Sequence, residues 1–211
     1  DKDKNKNEEL YRACRHCVFG KISICTEGIE QNMDEVRVDL RKSGEDEQRK
    51  NEQQERILFR LNHTFYLVPE YKELLRELFA GKIGENSFVK APLSGAMLSN
   101  ISIGNGVYVN SNLLAMARGG IVIEDDVQIA ANVQLLSNNH DPYDRQILLC
   151  KPIVIKQGAW IGAGASIMAG VTIGRYAIVG AASVVTHDVA DYEVVVGSPA
   201  KVIKTLDAER F

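Results

Sequence analysis

Branched aliphatic residues recur every six positions near the C-terminus of this 211-residue chain: Ile155, Ile161, Ile167, Ile173, Val179 and Val185. A period of six fits neither an amphipathic helix nor a strand with simple alternation. It is a repeat, and a repeat of units too short to bury a core alone indicates stacking. The same frame appears upstream at Ile103, Val109, Ile123, Ile129 and Leu135. The pattern therefore predicts a β-solenoid, in preference to an irregular β-sandwich with accidental spacing.

The hexads also share small or β-branched residues at their fifth position: Ala159, Ala165, Val171, Ala177 and Ser183. We expect three hexads to close a triangular coil, with the aliphatic residues in an internal ladder. A corner after each hexad would accommodate glycine or another small residue. The frame slips near Met116 to Gly120, and again between Leu135 and Ile155. Such slips predict loops that protrude from the solenoid.

The N-terminal third has a different pattern. Mixed charges crowd residues 34–57 and predict an exposed helix, interrupted at Ser43 and Gly44. Residues 56–81 then carry apolar side chains at helical spacing. Pro69 is suited to the first turn of a second helix there. We expect this helical part to pack on the solenoid.

These patterns predict a mainly β protein in three parts. Residues 1–84 form a charged and helical segment, and residues 85–205 form the solenoid, from which a loop at 137–152 protrudes. Residues 206–211 form a C-terminal tail. The spacing of the hexads does not determine the handedness of the solenoid.

Composition narrows the function. The formal net charge is −3, so bulk charge gives no support to nucleic-acid binding. No apolar run approaches the roughly 20 residues that span a membrane. No secretory signal is visible, and we expect a cytoplasmic protein. The cysteines, at Cys14, Cys17, Cys25 and Cys150, lack an obvious fourth zinc ligand in a recognisable pair, which favours reduced thiols and no bound metal.

The longer of the two frame slips, between Leu135 and Ile155, contains the clearest candidate for catalysis. It contains His140 beside Asp141, after Asn138 and Asn139. Imidazole ordinarily titrates near neutrality, so histidine is the default general base. A neighbouring carboxylate or carbonyl could fix its tautomer. On the residues alone, a structural role and a catalytic role for His140 both stay open.

Several motifs occur in an order that resembles the hexapeptide-repeat acyltransferases, within them the maltose and galactoside O-acetyltransferase branch. They are GENSFV, YVNSN, NNHDPYDR, AWIGAGA and GSPAKVI, and the resemblance covers roughly residues 55–205. It implies a left-handed parallel β-helix, acetyl-CoA as donor, and a homotrimer with active sites between subunits. It also implies direct attack on the thioester without a covalent acyl-enzyme.

The resemblance also implies roles for individual residues. His140 matches the catalytic base, and Asn110 matches the residue that holds the acceptor near it. Trp160 matches a position at the CoA cleft. The Ala163 backbone N–H matches a donor to the thioester carbonyl, and Ala181 matches a backbone contact to the pantetheine arm. The remaining matches lie where CoA phosphates are expected: Thr186, His187, Lys201 and Lys204.

Three departures concern the substrates. His187 replaces the more usual lysine, which predicts a weaker phosphate subsite. Arg118 stands where the sugar-acetylating branch commonly has an acidic residue, and Ala96 stands where some members have serine. Residues 10–54 match the usual acceptor-binding segment poorly. The sequence therefore indicates the donor more firmly than the acceptor.

Other functions remain open at this stage. One is an acetyltransferase for a non-sugar acceptor, either an antibiotic or other xenobiotic or an amino acid. Another is a trimeric scaffold that kept the fold without activity. The third is a β-helical carbonic anhydrase, which needs about three histidines on zinc. Of the four histidines only His140 and His187 fall in the repeat, so this function is disfavoured.

Overall fold

The computed structural model describes residues 35–211. Two helices precede the solenoid, α1 at Glu45–His63 and α2 at Pro69–Leu78. The strands in chain order are β1 Val36–Asp39, β2 Phe88–Val89, β3 Leu93–Ala96, β4 Ile101–Ile103, β5 Tyr108–Val109, β6 Leu113–Met116, β7 Ile121–Ile123, β8 Gln128–Ile129, β9 Gln134–Leu136, β10 Asn138–His140, β11 Ile147–Cys150, β12 Ile153–Ile155, β13 Trp160–Ile161, β14 Ser166–Met168, β15 Thr172–Ile173, β16 Ile178–Val179, β17 Val184–Val185, β18 Glu193–Gly197 and β19 Ala200–Thr205. Short 3-10 turns occur at Leu40–Lys42, Leu98–Asn100 and Ala208–Arg210.

The solenoid has three parallel faces, and each full coil contributes one strand to each face. The first face contains β4, β7, β12 and β15, and the third contains β3, β6, β9, β14 and β17. The second face contains β2, β5, β8, β13, β16 and β18, and the antiparallel strand β19 completes it. The predicted mainly β solenoid with an N-terminal helical part is confirmed.

The core is the aliphatic ladder that the hexads predict. On the first face Ile103, Ile123, Ile155 and Ile173 are in register. The corresponding rows on the other faces are Val109, Ile129, Ile161, Val179 and Val195, and Ala115, Leu135, Ile167 and Val185. All of these side chains are buried. Burial of many branched side chains in stacked layers is the main source of stability for such a repeat.

The corners lie inside the hexads, so the expectation of a corner after each hexad was wrong. The fourth position has a left-handed backbone, as at Gly164 (φ 69°) and Ala182 (φ 55°). The second position explains the recurrent Ile-Gly pair. A Cβ added at Gly162 would lie 2.6 Å from the amide nitrogen of Ala181, and one at Gly174 would lie 2.4 Å from that of Asp191. Glycine therefore lets adjacent coils stack at this position.

The helices cover the first coil. Helix α2 begins at Pro69, as predicted, and α1 begins directly after Gly44, where the sequence predicted a break. The buried Tyr71 hydroxyl donates to the Val89 carbonyl (2.8 Å), and the Asn62 side chain bonds both backbone groups of Leu93. These bonds join the helical part to β2 and β3.

The prediction of helix over residues 34–57 was wrong in its first part. Val36 and Val38 alternate with charged residues, which is a strand pattern. Strand β1 pairs antiparallel with β11, which in turn pairs with β10. The segment at the second frame slip therefore forms a β-hairpin of β10 and β11, and β1 extends this hairpin to a three-stranded sheet. In the part of the chain from residue 35 onward, no helix is long and apolar enough to cross a membrane.

Candidate active site

His140 is exposed at the end of β10, beside the turn of the hairpin. Its ring Nδ1 lies 2.6 Å from the carbonyl oxygen of Arg145. A carbonyl only accepts, so Nδ1 carries the proton in this bond and Nε2 of the neutral ring is left with its lone pair. A backbone carbonyl thus fixes the tautomer, and His140 can accept a proton at Nε2.

Asp141 organises the turn that supplies this carbonyl. Its side chain is nearly buried and accepts from the backbone N–H groups of Tyr143 (2.8 Å) and Asp144 (3.2 Å) and from the Arg37 guanidinium. The Tyr143 N–H, followed by Arg37, lowers the pKa of Asp141 below its ordinary value of 3.8. The carboxylate therefore stays ionised and holds the turn beside His140.

A second group of predicted residues lies along the row of turns that follow the second-face strands, which we call the second-to-third corner. Asn110 follows β5, and its N–H donates to the Ile129 carbonyl one coil further on. Ala163 and Ala181 occupy equivalent positions in the turns after β13 and β16, since Trp160 pairs with Ile178. Stacking thus places Asn110, Ala163 and Ala181 on one edge.

This edge offers unused hydrogen-bond donors. Ala163 and Ala181 are exposed, and neither backbone N–H donates to any atom of residues 35–211. The Ala163 carbonyl, in contrast, accepts from Ala182 (2.8 Å) to join the coils. Trp160 projects from β13 with 52% of its surface exposed. The row therefore presents two fixed N–H groups and an exposed aromatic ring to a ligand.

Asn110 has a local role as well. Its side-chain oxygen accepts from the Ser111 N–H at 2.8 Å. This bond fixes the orientation of the amide and leaves its NH₂ group without an acceptor among residues 35–211. The half-buried amide can therefore donate to an acceptor molecule.

The four residues expected near CoA phosphates lie in two places. Thr186 and His187 are exposed directly after β17, and the Thr186 hydroxyl is 2.9 Å from Nδ1 of His187. Lys201 and Lys204 lie on β19, opposite Val196 and Val194. Strand β19 continues the second face, so both lysines lie on a strand of the solenoid.

The described chain places His140 away from the other catalytic candidates. The hairpin leaves the solenoid after β9, at the row of turns that follow the third-face strands, which we call the third-to-first corner. Asn110 and Ala163 lie at the second-to-third corner. A third-face strand separates the two corners, and at about 3.3 Å per residue it spans roughly 10 Å or more. One chain thus presents two candidate half-sites on different edges.

Arg118 and Ala96 both lie near the third-to-first corner. The Arg118 guanidinium forms an ion pair with Glu47 of α1, and both side chains are largely shielded from solvent. Ala96, at the end of β3, pairs with Met116 of β6. The Glu47 carboxylate therefore neutralises the positive charge of Arg118.

Cys150 is buried at the end of β11, and burial raises the pKa of its thiol. Such a thiol is a poor nucleophile, in agreement with direct attack. Cys14, Cys17 and Cys25 lie outside the described residues. Within residues 35–211 no three histidine, cysteine or acidic side chains are grouped as metal ligands.

Sequence reasoning missed two features of the site. The carbonyl of Arg145 carries no side-chain signal, so it could not have been identified from residue types. Strand β1 did have a signal, because Val36 and Val38 alternate with Arg37 and Asp39. The surrounding charge density obscured that period of two.

Comparison with known proteins identifies the family of the chain. Residues 152–187 match the bacterial transferase hexapeptide family (six repeats). The galactoside O-acetyltransferase of Escherichia coli strain K12 is 35% identical over 157 residues, which cover 72% of this chain and 76% of that protein.

Two solved structures show the same fold. A hexapeptide-repeat acetyltransferase of Vibrio cholerae, complexed with acetyl coenzyme A, superimposes with a TM-score of 0.74 and 33% identity over 78% of this chain and 91% of the other. A maltose O-acetyltransferase of Clostridium difficile 630 gives a TM-score of 0.74 and 31% identity over 78% and 90% of the two chains.

Proposed function

Because the chain belongs to the galactoside and maltose O-acetyltransferase branch of the hexapeptide-repeat acetyltransferases, we propose that it transfers the acetyl group of acetyl-CoA to a hydroxyl of a sugar. The observation that carries the chemistry is the bond from His140 Nδ1 to the Arg145 carbonyl. It leaves Nε2 ready to take the hydroxyl proton as the oxygen attacks the thioester.

The remaining groups serve the same step. The Ala163 N–H stabilises the negative charge that develops on the thioester oxygen, and the Asn110 amide orients the acceptor hydroxyl. His140 then returns its proton to the departing thiolate of CoA. The Ala181 N–H and Trp160 hold the pantetheine arm, while Thr186, His187, Lys201 and Lys204 bind the phosphates. These positions are exposed, as binding requires.

The separation of the two half-sites supports a homotrimer. His140 lies at the third-to-first corner, and Asn110 and Ala163 lie at the second-to-third corner. Rotation about an axis parallel to the solenoid brings these two edges of adjacent subunits together. The proposed active site therefore contains His140 from one subunit and Ala163 from its neighbour.

His140→Gln tests the mechanism. It removes the basic nitrogen, so we expect kcat for acetyl transfer to fall roughly 10²–10⁴-fold. The measurement is thiol release from acetyl-CoA with a panel of sugars. His63→Gln is the matched control, because His63 is exposed on α1 and lies outside the candidate site. Full activity of His140→Gln would exclude it as the base.

The same assay distinguishes a non-sugar acceptor. We expect transfer to sugars and none to amino acids or aminoglycosides. A reversed preference would retain the enzyme class and change the acceptor. Absence of turnover with every acceptor, together with tight CoA binding, would favour the non-catalytic scaffold.

A further inference from the structure

A cavity of about 610 Å³ lies between α2 and the first strands of the second face. Its walls combine the rings of Tyr66, Phe88 and Tyr108 with the side chains of Lys72 and Lys90. A volume of roughly 300–1,000 Å³ suits a small organic ligand. The catalytic scheme proposed above uses none of these five residues.

The aromatic wall is already assembled. Phe88 and Tyr108 stack with ring centroids 6.2 Å apart, and Tyr66 meets Phe88 edge-on at 6.1 Å. Lys90 Nζ lies 5.8 Å from the centre of the Tyr66 ring. Rings held in this way offer flat apolar surface to a pyranose, with the Lys90 ammonium group beside them.

The positive charge of this cavity is not neutralised by the described chain. Neither Lys72 nor Lys90 forms an ion pair with any acidic residue of 35–211, and no acidic side chain lines the walls. Arg118, in contrast, is paired with Glu47. Two unpaired ammonium groups over apolar walls attract an anion, although the chain carries a net charge of −3.

The cavity also lies beside the proposed acceptor position. The Lys90 N–H donates to the Val109 carbonyl at 2.8 Å. Lys90 therefore stacks one coil below Asn110, on the second-to-third corner. A ligand on the aromatic wall with its charged end at Lys90 therefore lies on the same edge as Asn110, one coil away.

We propose that this cavity binds the acceptor and that Lys72 and Lys90 select a small sugar carrying an anionic group, either a carboxylate or a phosphate. This inference rests on the proposed function and specifies its substrate class. It assigns Tyr66, Phe88 and Tyr108 to the ring of the acceptor, and the two lysines to its charge.

Acceptors that differ at C6 test the proposal, because galacturonate and galactose 6-phosphate carry an anionic group there and galactose carries a neutral hydroxyl. We expect wild-type kcat/KM to be at least about tenfold higher for galacturonate or galactose 6-phosphate than for galactose, as one charge-assisted bond provides. The comparison of the two acids distinguishes carboxylate from phosphate. Lys90→Met and Lys72→Met should each lower the ratio of kcat/KM for the charged acceptor to kcat/KM for galactose by about tenfold. Lys90→Arg should retain this ratio.

Lys42→Met is the control for the loss of one positive charge, since Lys42 is exposed in the turn after β1. It should leave the ratio as in the wild type. A wild-type preference for galactose would overturn the proposal. So would a Lys90→Met variant whose ratio of kcat/KM for the charged acceptor to kcat/KM for galactose equals that of the wild type. So would a rise in KM for acetyl-CoA in Lys90→Met without a change for the acceptor, because the cavity would then hold CoA phosphates.

Direct binding separates failure of this inference from failure of the proposed function. Calorimetry with galacturonate and galactose 6-phosphate should show binding to wild type that weakens about tenfold in Lys90→Met. Charge-dependent binding without acetyl transfer would support the cavity assignment and contradict the acetyltransferase. Acetyl transfer without charge-dependent binding would contradict the cavity assignment alone.

Discussion

At the scale of single residues, Asp141 has the most consequential environment in the hairpin. Its carboxylate joins two N–H groups of the turn to Arg37, and the turn places the Arg145 carbonyl against His140. The lowered pKa of Asp141 means that its charged form favours the folded state. Its stabilising contribution is complete above the ordinary value of 3.8 and is lost as the pH falls through the lower folded-state pKa.

Asp141→Asn tests this contribution. We expect the variant to unfold at lower temperature than wild type at pH 7, because the neutral amide binds Arg37 and the turn less strongly. The difference in unfolding temperature should narrow as the pH falls below 3.8 and through the lowered pKa of the folded state, because the wild-type carboxyl then also becomes protonated. Thermal unfolding at pH 7, 4.5 and 3 measures it. Asp46→Asn, on the exposed face of α1, controls for net charge. A difference in unfolding temperature of equal size at every pH would contradict a stabilising role for the ionised Asp141 carboxylate.

At the scale of elements, strand β1 supports the hairpin that carries His140. A two-stranded hairpin alone is marginal in water, and a third strand stabilises it. Besides the β1–β11 ladder, the Leu40 N–H donates to the Gln146 carbonyl (2.8 Å), and Arg41 bridges to Asp144 (3.0 Å). Backbone hydrogen bonds and an ion pair therefore both hold β1 against the hairpin.

Arg37→Gln tests whether this support reaches the catalytic step. Loss of the guanidinium frees one side of Asp141, so the His140 ring is positioned less tightly. We expect kcat to fall by roughly tenfold or more, since small displacements of a base are costly. KM for acetyl-CoA should be unchanged, because the proposed donor contacts lie in the coils. Steady-state kinetics measure both constants.

Arg49→Gln is the matched control, because it breaks an ion pair confined to α1. If Arg37→Gln lowered the unfolding temperature and left kcat intact, Arg37 would have a structural role only. The conservative Arg37→Lys variant should recover part of the rate, since it restores the positive charge.

At the scale of the whole molecule, the two half-sites lie on different edges of one chain. A shared active site therefore predicts complementation between inactive variants. His140→Ala and Asn110→Ala should each have very low activity alone. Co-refolded at equal amounts as random trimers, they should regain roughly a quarter of wild-type activity, since one site in four receives both intact halves.

Light scattering of each variant first establishes the oligomeric state. Mixing the folded trimers without unfolding is the control, and it should restore nothing until subunits exchange. No gain after co-refolding would place the complete site within one chain. A monomer in solution would remove the shared site.

The sequence predicted the core residue by residue, because a six-residue period of branched side chains leaves only stacked coils to bury them. The same local reasoning gave the start of α2 at Pro69. It failed at β1, where charge density obscured an alternation, and at the corners, whose left-handed fourth position became evident only from the backbone. His140 was singled out from the residues of its loop, Asn110 and Ala163 were identified by resemblance, and the roles of all three stay predictions.

The sequence by itself determined the ladder, the hairpin's place in it and the residue types available for chemistry, since these depend on order and spacing. Only the tertiary structure decided which groups meet. Arg37 reaches Asp141 across 104 positions, and Arg118 reaches Glu47 across 71. Such contacts depend on how coils, helices and β1 stack in space, and no local pattern encodes that arrangement.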